Sequence, residues 1–148
     1  MTETSVRVER VTSEHAELAH QAMRINDAEG GDPDPAAIAE FLADRDCFLI
    51  VGVENGVVVG TLDGYILRQP HVRRPQFLLY EIDVAVAHRR RGIGRLLIDA
   101  FADEARKRDA EEIWVLTHRS NAAAVALYRA CGFAADGHGD TEMMGLRL

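Results

Sequence analysis

The chain has 148 residues, which fits one domain and is long enough to bury a sizeable core. With 17 basic and 24 acidic residues its formal charge is −7, which argues against nucleic-acid binding over the whole surface and suits a cationic partner. No apolar run approaches the roughly 20 residues of a membrane span, and the polar N-terminus lacks the apolar segment of a secretory signal. We therefore predict a single cytoplasmic domain, 1–148, that binds neither nucleic acid nor membrane, with Cys47 and Cys131 as reduced thiols.

Short strands and helices alternate in the N-terminal third. Valines alternate with charged residues over 6–9, which predicts a first strand. Thr12 or Ser13 is placed to cap an amphipathic helix, and Asp34 with the proline after it is placed to begin another as N-cap and first turn. Residues 26–32 are acidic, and we expect them to form a flexible loop between the two helices.

Three strands are predicted next. Residues 47–53 are apolar and β-branched, and Asn55-Gly56 is typical of a tight hairpin turn into a returning strand over 57–67. Residues 68–76 hold two prolines and three arginines, which favours an exposed loop. Residues 77–86 are almost continuously apolar, which is typical of a strand at the centre of a sheet and buried on both faces.

Helices and strands also alternate in the C-terminal half. A helix with one apolar stripe starts at Gly92, a buried strand covers 113–117, and a helix over 121–130 ends at Gly132. Residues 139–148 supply a final hairpin around the Asp136-Gly137 turn. The element order is therefore β-α-α-β-β-β-α-β-α-β, which predicts an α/β (α+β mixed sheet) fold with helices on both faces of a central sheet.

The turn before the third helix is basic in an otherwise acidic chain. Its arginines are Arg89, Arg90, Arg91 and Arg95. They surround Gly92-Ile93-Gly94 at a helix N-terminus, where free backbone N–H groups and the helix dipole favour a phosphate. A dinucleotide site would need a third glycine where the chain has Leu97, so that alternative fits poorly. Taken alone, the motif also fits an ordinary solvated turn.

Two signatures resemble those of the GNAT superfamily of N-acetyltransferases. Residues 89–94 match its [Arg/Gln]-x-x-Gly-x-[Gly/Ala] turn, between a predicted strand and a predicted helix as in that family. Residues 120–128, followed by Gly132-Phe133, resemble its second signature, Asn-x-x-Ala…Leu-Tyr…Gly-Phe. The resemblance implies the GNAT acyl-CoA N-acyltransferase fold and direct transfer of an acetyl group from acetyl-CoA to a primary amine. The six histidines show no metal-ligand spacing, so we expect no metal.

The resemblance also implies roles for individual residues. The turn would bind the pyrophosphate, the preceding strand would pair with the pantetheine arm, and Asn121 would bond the same arm. Tyr128 would act as the general acid for the departing thiolate, although its spacing also fits simple core packing. The Val84 N–H would stabilise the tetrahedral intermediate. The expected cofactor-binding residues are Ile82, Asp83, Val84, Arg89, Arg90, Arg91, Gly92, Ile93, Gly94, Arg95 and Asn121.

The acceptor amine must lose a proton before it attacks, so a carboxylate or a water chain leading to one is expected. Glu81 and Asp83 alternate onto one face of the central strand. Many relatives carry a glutamate five residues before the signature asparagine, but Leu116 stands there in this chain. We therefore expect Glu81 to be the catalytic base, with Asp83 or a water chain as alternatives. A wet, splayed sheet would explain both carboxylates without catalysis.

A narrower resemblance concerns the acceptor. Tyr80-Glu81, the 65–68 run and the 124–128 segment look like those of the aminoglycoside 3-N-acetyltransferases, although Asn121 fits the wider family better. This implies 3-N-acetylation of an aminoglycoside, a small cationic substrate, with Tyr80 beside it. We expect an acidic rim to steer the substrate unless those residues are merely solvated. The rim residues are Asp27, Glu29, Asp32 and Asp34. Polyamines, other small amines and protein N-termini remain alternative acceptors. A non-catalytic acyl-CoA-binding module remains an alternative function, and a homodimer remains possible from the sequence.

Overall fold

The computed structural model describes residues 5–26, 31–135, 139 and 142–148. Within them the strands are β1 (Arg7–Arg10), β2 (Cys47–Glu54), β3 (Val57–Gln69), β4 (Val72–Val84) and β5 (Glu112–Val115). The helices are α1 (Ala16–Asn26), α2 (Pro35–Ala43), α3 (Ile93–Lys107) and α4 (Ala122–Ala130), with short 3-10 turns at Ser13–His15 and Val86–His88. No helix in the described ranges is long and apolar enough to cross a membrane.

The strands form one mixed sheet in the order β1-β2-β3-β4-β5. The first four run antiparallel to their neighbours, and β5 runs parallel to β4. The predicted mixed α/β sheet is therefore confirmed. Pairing of β4 with β5 covers only Gln76 to Leu79, so the C-terminal part of β4 continues without β5 beside it. The register between β3 and β4 also shifts, because Gly64 pairs with Leu79 and Asp63 with Glu81. Tyr80 is thus the extra residue of a β-bulge.

Each face of the sheet carries its own core. On one face, α3 packs on aromatic residues, with Phe48, Phe77 and Phe101 fully buried and their ring centroids 5.3–6.0 Å apart. On the other face, α1 and α2 cover Leu49, Val51 and neighbouring valines. The sheet is therefore a central layer between helices, as the sequence predicts.

Of the caps and turns predicted in the N-terminal half, the helix cap at Asp34 and the hairpin turn at Asn55-Gly56 are found. The Asp34 side chain accepts hydrogen bonds from the Ala36 and Ala37 N–H groups at 2.9 and 3.4 Å, and so caps α2. Asn55 and Gly56 both have positive φ, 51° and 79°, and close the hairpin between β2 and β3. Thr12 is extended, but its side chain makes no capping bond.

Two predictions about β3 and β4 are wrong. Residues 68–76 are not a loop, because β3 extends to Gln69 and β4 begins at Val72. The prolines that suggested a loop are accommodated, since Pro75 lies where the register is irregular and no ladder N–H is needed. Nor is β4 buried on both faces throughout, because Tyr80 is 63% exposed beyond the end of β5.

The expected final hairpin is not present in the described part of the C-terminal segment. Residues 142–148 contain no strand, and Leu146 and Leu148 are exposed. The Asp136-Gly137 turn lies outside the described residues. Over the described residues the element order is therefore the predicted one without its last strand.

Candidate active site

A cleft of about 1170 Å³ opens where β4 extends past β5. One wall is the strand segment 80–84, the floor is the turn and the first residues of α3, and the other wall is α4. The cleft brings together most of the predicted site residues. They are Tyr80, Glu81, Ile82, Asp83, Val84, Arg89, Arg90, Gly92, Ile93, Gly94, Arg95, Asn121 and Tyr128. Arg91 and Asp32 are not among the lining residues.

The turn presents backbone donors to the cleft. The first α-helical bond of α3 runs from the Leu96 N–H to the Gly92 carbonyl, at 3.1 Å, so the N–H groups of Ile93, Gly94 and Arg95 precede the helical ladder. Gly92 has φ +78° and no atom within 4 Å of the position of a Cβ. The backbone is therefore open to a ligand at the helix N-terminus, where the dipole favours negative charge.

The second glycine of the turn has a different role. A Cβ on Gly94 would lie 2.9 Å from a δ-methyl of Leu127. Gly94 therefore allows α3 and α4 to approach closely, so it serves helix packing as well as lining the cleft. Sequence reasoning assigned both glycines to the phosphate.

The four arginines divide into two groups. Arg89 donates to the Asp83 carboxylate at 3.3 Å and to the Val84 carbonyl at 3.0 Å. Arg91 donates to both oxygens of Glu54, at 2.6 and 3.1 Å. Arg90 and Arg95 line the cleft and form no ion pair or side-chain hydrogen bond with the described residues. Arg90 and Arg95 are therefore the two guanidinium groups free to meet an anionic ligand.

The carboxylate of Asp83 is already occupied. The Val84 N–H donates to its Oδ1 at 2.8 Å, and Arg89 donates to the same atom. These bonds weaken the case for Asp83 as the base. They also mean that the Val84 N–H, expected to serve as oxyanion donor, is engaged by a neighbouring side chain in this structure.

Glu81 has a partner that sequence reasoning missed. Asp63 of β3 pairs with Glu81 across the two strands, so both side chains lie on the same face of the sheet. Burial, and then the negative charge of Glu81, raise the pKa of Asp63 from 3.8 to about 7. The available signal was a lone aspartate inside the apolar 57–67 strand.

An aromatic wall stands beside this carboxylate pair. The Tyr80 ring meets the Tyr65 ring edge-on at 5.6 Å, and Tyr65 meets Phe41 of α2 in the same manner at 5.8 Å. Burial and the neighbouring carboxylate of Asp63 raise the pKa of Tyr65. Aromatic faces and carboxylates in one place suit a cationic ligand.

Tyr128 and Asn121 lie on α4 at the opposite wall. Tyr128 is only 8% exposed and packs on Phe133 with ring centroids 5.7 Å apart. Burial raises the pKa of its phenol, so it is a neutral O–H donor at pH 7. The Asn121 side chain accepts from the Ala124 N–H at 3.2 Å and so caps α4.

Only part of the predicted acidic rim lies among the described residues. Asp27 and Glu29 lie outside the described residues. The Asp32 side chain is 99% exposed and lies 3.8 Å from Arg24. Among the described side chains, no group of three or more histidines, cysteines or carboxylates is placed to hold a metal ion.

The fold, with a cleft where two parallel strands separate, is that of solved acetyltransferases. An aminoglycoside acetyltransferase from an uncultured soil metagenomic sample superposes with a TM-score of 0.88 at 21% identity, over 99% of this chain and 100% of that one. An aminoglycoside N-acetyltransferase, AAC(6')-Iy, solved in complex with CoA, superposes with a TM-score of 0.74 at 20% identity, over 96% and 98% of the two chains. At these identities the likeness concerns the fold.

The chain belongs to the acetyltransferase (GNAT) family, whose model matches residues 15–133. Streptothricin acetyltransferase of Streptomyces lavendulae is 35% identical over 105 residues, 71% of this chain and 52% of the relative. The ribosomal protein bS18 alanine N-acetyltransferase of Salmonella typhimurium is 37% identical over 81 residues, 47% and 55% of the two chains. The chain thus spans about half the length of these curated relatives.

Proposed function

We propose that the protein is an acetyl-CoA-dependent N-acetyltransferase that acts on a primary amine of a small cationic acceptor. One observation carries the proposal. The open left-handed turn, the end of β4 that β5 leaves unpaired and the buried Tyr128 line a single cleft, which supports a phosphate site beside an acid and a base. Support comes from the family membership and from a structural neighbour solved with CoA.

The chain supplies a distinct set of groups for the cosubstrate. The N–H groups at the start of α3, with Arg90 and Arg95, bind the pyrophosphate. The part of β4 beyond Leu79 offers backbone groups that β5 leaves unpaired. When bound, acetyl-CoA supplies an activated thioester carbonyl. Asn121 orients α4, and with it Tyr128, through the cap that it forms.

Acid–base chemistry is shared between the two walls. Glu81 accepts the proton that the acceptor ammonium loses, which leaves a neutral amine to form the new C–N bond. Tyr128 gives its hydroxyl proton to the sulfur as the C–S bond breaks, and the second proton that the nitrogen loses as it becomes an amide restores the Tyr128 hydroxyl. Because the pKa of Asp63 is about 7, much of Asp63 is protonated at neutral pH.

We propose an aminoglycoside as the acceptor, acetylated at its 3-amino group. Tyr80 and Glu81 line the cleft, and Tyr65 and Asp63 of β3 contact or pair with them; an aromatic ring beside a carboxylate suits a ring-shaped polycation. The proposed site of acetylation rests on the Tyr80-Glu81 resemblance. A second candidate is the N-terminus of a protein, because one 37%-identical relative is named for acetylation of a ribosomal-protein alanine.

The test is release of free CoA thiol from acetyl-CoA in the presence of gentamicin, spermidine or an N-terminal alanine peptide, with the acetylated position assigned by NMR. We expect turnover with gentamicin and acetylation at N3. Turnover confined to the peptide would overturn the aminoglycoside proposal in favour of the second candidate. Binding of acetyl-CoA without turnover on any acceptor would overturn the enzymatic proposal and favour a binding module.

A further inference from the structure

A nearly buried carboxylate outside the cleft contacts the basic turn. Glu54, the last residue of β2, is 8% exposed and lies outside the cleft lining. Both of its oxygens accept hydrogen bonds from Arg91, 37 residues further along the chain, at 2.6 and 3.1 Å. The Nε2 atom of His88 lies 3.2 Å from the same carboxylate. Glu54 therefore contacts the turn at two points.

The two contacts bracket the unusual backbone of the turn. Arg90 lies between His88 and Arg91 and has φ +62°, a left-handed conformation that a residue with a side chain adopts at some energetic cost. Gly92 follows with φ +78°. A turn with two left-handed residues has other accessible conformations, so the contacts on either side of Arg90 restrict it to this one.

The bonds to Glu54 also keep Arg91 away from the ligand. Its guanidinium is held in a two-point bond, the arrangement that matches a carboxylate best. The bonds to Arg91 hold the pKa of the Glu54 carboxyl below its usual range, so it is ionised at neutral pH. The pair is therefore present under working conditions, and Arg91 is not available to bind a phosphate.

We propose that Glu54 is a positioning residue for the CoA site, which acts through Arg91 and His88 to fix the backbone N–H donors at the start of α3. The inference rests on the proposed role of the turn in binding CoA. It gives Arg91 a structural role within that site, and it assigns a function to a β2 residue that lies outside the cleft lining.

A purely structural role for Glu54 predicts a different outcome. Loss of a contact that only stabilises the fold lowers the melting temperature and affects both substrates alike. Loss of a contact that preorganises the turn raises the KM for acetyl-CoA alone, by about tenfold, because the ligand must then order the turn itself. The kcat at saturating acetyl-CoA and the KM for the acceptor stay within about twofold of wild type.

The experiment compares wild type with Glu54→Gln, Arg91→Gln and the double variant, using CoA titrated calorimetrically and acetyl-CoA in steady-state kinetics. If Glu54 acts through Arg91 and His88, Glu54→Gln weakens CoA binding at least as much as Arg91→Gln, and the double variant weakens it no further than Glu54→Gln. If Arg91 is itself a phosphate ligand, Arg91→Gln loses far more affinity than Glu54→Gln and the proposal fails. Glu9→Gln breaks an exposed ion pair with Arg7 and is the matched control, with unchanged CoA affinity.

Two further comparisons keep the test decisive. Glu54→Asp keeps the charge and shortens the side chain, so it retains the fold and shows an intermediate loss of CoA affinity even if Glu54→Gln unfolds. A wild-type protein that does not bind CoA overturns the proposed function and this role together. A wild type that binds CoA, with Glu54→Asp and Glu54→Gln binding equally well, overturns this role alone.

Discussion

Asp63 and Glu81 face each other across β3 and β4, immediately beside the bulge at Tyr80. Two carboxylates in directly opposed positions repel each other when both are ionised. Burial adds to this effect at Asp63 and raises its pKa to about 7, while Glu81 is exposed at the cleft. The pair therefore separates two functions. Glu81 remains an accessible base, and Asp63 retains a proton at a pH at which an ordinary aspartate has lost it.

This pair predicts a pH-dependent effect on stability. The pKa of Asp63 is about 7 in the folded protein and near 3.8 when unfolded, so the folded state binds the proton more tightly. The unfolding free energy contributed by Asp63 therefore falls as pH rises from about 4 to about 7. Asp63→Asn removes this pH-dependent destabilisation. The unfolding free energy of the variant therefore exceeds that of wild type by an amount that grows across this pH window to on the order of 2–4 kcal/mol.

Urea denaturation at pH 5 and pH 8 measures the difference. Asp32→Asn, at a side chain that is 99% exposed, is the matched control and changes little at either pH. An Asp63→Asn difference that does not vary between the two pH values would contradict the prediction.

Replacement of Glu81 tests the proposed base. Glu81→Gln keeps the size and hydrogen-bonding capacity of the side chain but cannot accept the proton of the acceptor. We expect kcat to fall by about 100-fold, the typical contribution of a positioned general base, with CoA affinity unchanged. Glu111→Gln, at an exposed position before β5, is the control. If Glu81→Gln retains half of the wild-type kcat, the base lies elsewhere.

Tyr128→Phe tests the proposed acid with little disturbance of packing. The ring keeps its contact with Phe133, so the melting temperature stays within a few degrees of wild type. The proton for the departing thiolate must then come from water, and kcat falls by about 100-fold. Thiol release under saturating acetyl-CoA measures the change, with CoA affinity determined in parallel. Equal kcat values for the variant and wild type would leave Tyr128 with a packing role only.

Features that depend on neighbouring residues could be predicted from the sequence. The Asn55-Gly56 hairpin and the Asp34 cap use hydrogen bonds or backbone angles within a few residues, and both are found as expected. The basic turn before α3 is likewise local. The mixed sheet follows from the order of elements and was predicted with them.

Features that depend on register could not be predicted. The opposition of Asp63 and Glu81 follows from a bulge at Tyr80, and a shift of one residue would move either side chain to the other face. The bond between Glu54 and Arg91 joins residues 37 positions apart. Because the sequence does not reveal that bond, all four arginines looked equally available to a phosphate, whereas the structure commits two of them to carboxylates.

The two glycines of the turn give a last prediction, because a methyl group meets a different obstacle at each. Gly92→Ala places a Cβ in open space, but it forces a residue with a side chain to hold φ +78°, which costs about 1 kcal/mol and disfavours the conformation that exposes the N–H groups. Gly94→Ala brings a Cβ to 2.9 and 3.5 Å from the two δ-methyls of Leu127, the mobile end of a flexible side chain, and costs less than about 1 kcal/mol. We therefore expect Gly92→Ala to weaken CoA binding several-fold and Gly94→Ala to leave it nearly unchanged, as measured by calorimetry beside thermal melts. The reverse order of effects would mean that the ligand approaches the backbone at Gly94, and that the first turn of α3 binds it in another way.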